Sequence, residues 1–229
     1  MSERFAVDNS FERGFNKYMA KCFGVMALGL VITALMAFLS YSTGLWSLMY
    51  LNKITVFAFV ILQLAVVIFF SSRLHKMSTS MAYVCFFVYS LITGYTLGSL
   101  GVVYDVTTMG IAFGLTAVLF VNLCIIGLTT KTDVTKYGTL LFVGLFTLLI
   151  ASIIGIFLNL PVLDMVVCYV GIGIFLCLIA YDVQMMRKRY EMYQEGELLS
   201  KMMIDSAFNL YLDFINIFLY ILRLLGRRK

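Results

Sequence analysis

Two aspartates lie in stretches that otherwise read as membrane helices. Asp213 sits in LYLDFINIFLYILRLLG (210–226) and Asp182 in LIAYDVQMMRKRY (178–190). A carboxylate at the centre of a membrane helix costs roughly 2.5–3.5 kcal/mol by insertion scales, so an acid kept there faces a partner or water and is a functional candidate. Along the last segment Asp205, Asn209, Asp213, Asn216, Tyr220 and Arg223 follow at steps of 4, 4, 3, 4 and 3. That spacing gathers the strongly polar side chains on one stripe of a helix. Such a stripe cannot face lipid, which places this helix centrally, against other helices or a water-filled cavity.

Asp182 precedes the basic cluster that begins at Arg187 by five residues, about 7–8 Å of helix. The next helix runs back from near Asp205, putting Asp213 about 12 Å deep. Consecutive antiparallel helices therefore bring both acids to similar depth, and Gly171 and Gly173 allow close approach of the first helix to its neighbour. Two carboxylates sharing a poorly solvated site cannot both ionise cheaply, so they titrate as a unit and hold one proton into the physiological range. Such a dyad can keep a proton, bind a hard cation through oxygen, or exchange one for the other. The plainer alternative is a hydrogen-bonded pair that only fixes helix packing. A cation at that level would latch the pair: Arg73, at the end of the second apolar stretch, can snorkel inward, or it is a simple topology anchor. Arg223 lies about 15 Å beyond Asp213 along the helix and suits the role less well.

The elements that carry these residues follow from composition. Of 229 residues, 62% are hydrophobic and 13% charged, with mean hydropathy +0.98. A soluble domain carries about 25% charged residues, so the chain reads as an all-α integral membrane protein. Seven apolar stretches occur, near 22–41, 54–70, 81–103, 107–127, 138–158, 162–182 and 206–225. Most reach the about 20 residues needed to cross about 30 Å of hydrocarbon; the second is at the short limit. Residues 1–21 are too long and too acidic for a signal-peptide leader and read as a cytoplasmic segment; 22–229 form a single seven-helix domain.

The net charge of +5 is unevenly spread. Arg4, Arg13, Lys17 and Lys21 precede the first stretch; Arg73 and Lys76, Lys131 and Lys136, and Arg187, Lys188, Arg189 and Lys201 occupy the even loops. Alternate loops hold only Lys53. This asymmetry predicts a cytoplasmic N-terminus in a multi-pass protein of the cell (plasma) membrane. The basic residues are read as topology signals and headgroup contacts, not as a nucleic-acid surface. Arg227, Arg228 and Lys229 break the pattern. Either the last helix crosses because its neighbours hold it, or it re-enters and the tail stays inside.

Five cysteines (Cys22, Cys85, Cys124, Cys168, Cys177) form no CxxC pair, and His75 is alone, so neither zinc nor a disulfide framework is indicated. There is no GxSxG, HExxH or phosphate loop, and no enzyme activity or cofactor is expected. Gly94–Gly98 and Gly110–Gly114 match GxxxG, a pattern of close helix packing.

The stretches LYLDFINIFLYILRLLG and AYDVQMM (180–186), with the seven-segment layout around them, resemble the transmembrane Bax inhibitor motif (Bax inhibitor-1) family. The brief N-terminus is similar to that of its bacterial members. The resemblance implies a seven-helix fold with the last helix enclosed by the other six. It also implies a calcium-permeable leak governed by pH through two aspartates, matching Asp182 and Asp213, with Arg73 as the latch. Calcium and protons would then be the species handled, and protein partners are undefined. A non-conducting scaffold for partner proteins is the alternative. An intramembrane aspartyl protease also needs two aspartates, one in Tyr-Asp as at Tyr181-Asp182; but Asp213 does not follow GxG, and Pro161 is the only proline.

Overall fold

The computed structural model describes residues 2–50, 53–158, 160–193 and 196–226. Every regular element among them is helical. In chain order these are α1 (Ser2–Ser42), a 3-10 turn at Leu45–Tyr50, α2 (Lys53–Arg73), α3 (Thr79–Leu97), the short α4 (Leu100–Val103) and α5 (Val106–Thr129). A second 3-10 turn at Val134–Tyr137 leads to α6 (Gly138–Leu158), α7 (Pro161–Tyr193) and α8 (Glu197–Leu225).

Local chemistry sets the boundaries. Ser78 caps α3, its side chain accepting from Met81 N at 3.2 Å, and Asp105 caps α5 by accepting from Thr107 N at 2.9 Å. Each satisfies an amide that the first helical turn leaves without an internal partner. Pro161 opens α7, the one helical position where a missing N–H costs nothing. Gly44, just past α1, has φ +75, and Gly196, just before α8, has φ +107; both turns need a residue without a Cβ.

Six helices among the described residues are long and apolar enough to cross a membrane: Ser10–Ser42, Thr79–Val103, Val106–Thr129, Val134–Gly155, Pro161–Tyr193 and Glu197–Leu225. The second apolar stretch forms α2 but offers only the shorter apolar run Ala58–Arg73. The polar lead into the first span is helical and continuous with it, since α1 starts at Ser2. The tail residues Arg227, Arg228 and Lys229 lie outside the described residues.

The chain forms two compact units, one of residues 1–103 and 186–211, the other of 104–185 and 212–229. In the first, α1 lies along α3. A Cβ on Gly94 would fall 2.5 Å from Thr33 O, and one on Gly98 2.6 Å from Ser40 Cβ. Phe70, Phe86, Tyr89, Phe208 and Tyr211 interlock edge to face, Phe70 and Phe208 with centroids 4.6 Å apart. Thr33 Oγ1 and Tyr211 Oη lie 2.6 Å apart, giving the buried phenol a partner. In the second unit Gly127 of α5 meets Ala180 and Val183 of α7, and Gly171 of α7 meets the Tyr220 ring of α8. Phe214 and Phe218 pack on Phe113, and Phe214 also on Phe120. Gly110, Gly114 and Gly173 have nothing near them among the described residues. The second GxxxG pair and Gly173 therefore do not serve the close packing expected of them.

Candidate site at the intramembrane aspartates

In α8 almost every face is buried. The half-buried or exposed positions Asn209, Leu212, Asn216, Leu219 and Arg223 recur at steps of 3, 4, 3 and 4 and make one narrow strip. The polar stripe is thus divided. Asp205, Asp213 and Tyr220 are buried, Asn209 and Asn216 half-buried, and Arg223 exposed. Asn216 donates to Leu212 O at 2.8 Å, so its amide satisfies part of itself within its own helix. Arg223 lies 3.7 Å from Asp164 in the first turn of α7 and over the Tyr220 ring, engaged far from Asp213.

The second unit brings the two intramembrane acids together. Asp182 on α7 is 8% exposed and Asp213 on α8 is 4% exposed, and the two carboxyls lie close enough to interact electrostatically. Asp213 Oδ2 remains buried with no hydrogen-bond partner among the described residues. An orphan buried acceptor costs free energy, and here it belongs to a group with acid–base capacity.

Several contacts hold the pair in place. The Gly127 contact lets α5 approach α7 one turn from Asp182, and Cys124 of α5 lies within electrostatic range of Asp213. Gly138, at the start of α6, abuts the Tyr181 ring. Gln184, two residues after Asp182, uses both ends of its amide: Nε2 donates to Thr132 O and Oε1 accepts from Val134 N, each at 2.8 Å. The α5–α6 loop is thereby fastened to the helix that carries Asp182. Sequence reasoning passed over Gln184, although an amide between Val183 and Met185 at the edge of an apolar run was a signal.

Arg73 occupies the last turn of α2, exposed, in the first unit; the dyad belongs to the second. The other acid of the stripe, Asp205, meets Arg189 instead, at 2.6 Å. The sequence showed Arg189 only as one of a basic cluster; the partner emerges from the fold.

Chemically, a buried carboxyl pair can hold a proton, release it, or lend oxygens to a passing hard cation. Among the described residues no three His, Cys, Asp or Glu side chains converge to hold a metal ion. A hard cation takes six to eight oxygens in a resident site, so two carboxyls fit a transit point better than a cage.

An all-helical membrane protein with a buried carboxyl pair on its last two helices is the class that fold and site define. The family described as "Inhibitor of apoptosis-promoting Bax1" matches residues 15–229, and the chain belongs to it. Similar proteins include one named only as uncharacterized from Borreliella burgdorferi, 38% identical over 216 residues and 93% of each chain. The inner membrane protein YbhL of Escherichia coli is 35% identical over 219 residues, 94% of each. A Streptococcus pyogenes membrane protein is 30% identical over 217 residues, 93% of this chain and 94% of its own.

Proposed function

We propose that this chain is a pH-sensitive, calcium-permeable leak of the cell (plasma) membrane, with no enzymatic step, in which Asp182 and Asp213 act as proton sensor and cation relay. The observation that carries the reading is the burial of these two carboxyls side by side, with Asp213 Oδ2 left without a hydrogen-bond partner among the described residues. Holding one shared proton, the pair carries a single negative charge, which a closing cation can offset. Losing the shared proton leaves two charges in a site of low polarity, which a divalent cation offsets.

In this reading α2 completes seven spans with the N-terminus in the cytoplasm, as the basic even loops favour. The last helix is enclosed by the others, which its near-complete burial supports. Arg73 serves as a latch that pairs with the dyad when the path is shut. Calcium and protons are the species handled, and the bilayer is the standing partner.

The test is calcium flux into liposomes that hold only this protein, from about pH 5 to about pH 8, across the range in which a buried acid pair can titrate. Flux above empty vesicles that changes with pH is expected. Absence of flux at every pH would leave a non-conducting scaffold in its place.

A further inference from the structure

Asp205 is the second buried acid of α8, eight residues and therefore about 12 Å along the helix from Asp213, on the side of the α7–α8 turn. Arg189, on the last stretch of α7, meets it with Nη2 2.6 Å from Asp205 Oδ2, and Nη1 donates to Ser206 Oγ at 2.9 Å. Both partners are largely enclosed, with side-chain exposures of 19% for Arg189 and 12% for Asp205. Arg187 with Glu12 and Arg223 with Asp164 are, by contrast, pairs of half-exposed side chains.

The surroundings are polar and close. Tyr18 of α1, whose buried Oη has no hydrogen-bond partner among the described residues, and Cys22 one turn on lie within electrostatic range of Arg189, and His75, in the α2–α3 connection, lies within electrostatic range of Asp205. Thus α1, α7, α8 and the segment after α2 all place a polar group near the Arg189–Asp205 pair in the first unit.

Burying an ion pair is weak evidence of stabilisation, because desolvation offsets most of the attraction. Two apolar residues would staple α7 to α8 at least as well. What the pair adds is a charge that is masked while Arg189 is in place and bare when it leaves. Its place on the stripe gives that property a use: Asn209 is the next half-buried position beyond it and Asp213 the next acid.

We infer that Arg189 and Asp205 form a gate at the α7–α8 end of the first unit, closed while the guanidinium covers the carboxylate. The inference rests on the proposed leak for the identity of the ion, but not for the existence of the gate. With the pair made, Arg189 repels an incoming cation and occupies the oxygens that would receive it. When the pair parts, Asp205 offers its oxygens to an incoming cation.

The experiment reads water access directly. Asn209→Cys is reacted with a small, positively charged, membrane-impermeant methanethiosulfonate, and labelling is read from the mass of the peptide carrying position 209. The five native cysteines stay in place and are resolved in the same spectrum. Adding Arg189→Gln is expected to raise the labelling rate by about tenfold, the scale of losing one charge-assisted bond. Arg189→Lys should restore most of the protection. The swap of Arg189→Asp with Asp205→Arg should restore it as well, because the pair is remade. Ser206→Ala, which removes only the supporting bond, should give a smaller rise and serves where Arg189→Gln does not fold. Equal labelling in the parent, Arg189→Gln and Ser206→Ala proteins would overturn the gate. Calcium flux is measured on the same preparations. If the parent conducts nothing, the leak reading fails while labelling still decides the gate; if the parent conducts and labelling is unchanged, only the gate fails.

Discussion

In the proposed leak Asp182 and Asp213 act as one titrating group, and this has a consequence for variants. Asp213→Asn keeps the shape and a hydrogen-bond donor but removes half of the acid pair, and Asp182→Asn does the same from α7. Each is expected to flatten the pH dependence of calcium flux, and the double variant to resemble either single one, because coupled groups do not add. Flux profiles of the three proteins check this; additive effects would mean that the acids act separately. Gln184 makes a different demand. Gln184→Met keeps the length but loses the bonds to Thr132 O and Val134 N. At about 0.5–1.5 kcal/mol for each net hydrogen bond, amide exchange at Val134 should accelerate by roughly tenfold or more, with the dyad residues unchanged. Hydrogen exchange of the 130–137 peptide is the readout, and unchanged exchange would remove Gln184 from the site.

At the scale of helices, two glycine pairs of identical spacing behave differently. A Cβ on Gly94 meets the Thr33 carbonyl at 2.5 Å and Met36 Cβ at 2.8 Å, whereas one on Gly110 meets nothing. Gly94→Ala must move backbone against backbone, at the 1–3 kcal/mol typical of overpacking, so the thermal midpoint in detergent should fall by several degrees, roughly. Gly110→Ala should leave it unchanged or raise it, since Ala is the better helix former by about 1 kcal/mol. Equal effects at the two positions would refute the α1–α3 packing. The same comparison shows how far sequence reaches. GxxxG states that two small residues share a face, not which neighbour that face meets. Asp213 was legible because an acid among Leu, Phe and Ile has few explanations, and Asp182 because its depth could be counted from Arg187. Asp205 was visible as a member of the stripe, but its bond to Arg189 depends on how the ends of α7 and α8 meet. The Gln184 clamp likewise depends on the path of the α5–α6 loop, which no periodicity encodes. The apolar stretches were evident throughout, yet α2 yields a shorter apolar run than the other spans.

For the whole molecule, the question is what would keep the proposed leak shut in a membrane whose cytoplasmic face its basic loops would mark. Arg73 ends α2 among exposed residues of the first unit, with Lys76 close behind it in sequence. As an anchor it contributes only charge, and any cationic residue would serve. As the proposed latch it contributes a planar fork able to take both oxygens of a carboxylate. The two roles diverge on substitution. Arg73→Ala should raise the basal calcium leak at about pH 8, where the carboxyl pair has least of its shared proton, because the closing contact is lost while the cation-binding oxygens stay. Arg73→Lys should restore closure only in part, since an ammonium is a point charge without that fork. Leak rates are compared at matched incorporation into liposomes, with Leu64→Ala on the same helix as the control for nonspecific loosening. If Arg73→Ala leaks no faster than the parent, Arg73 is a topology anchor. Closure would then fall to the Arg189–Asp205 pair, whose variants raise access at Asn209 whether or not Arg73 is present.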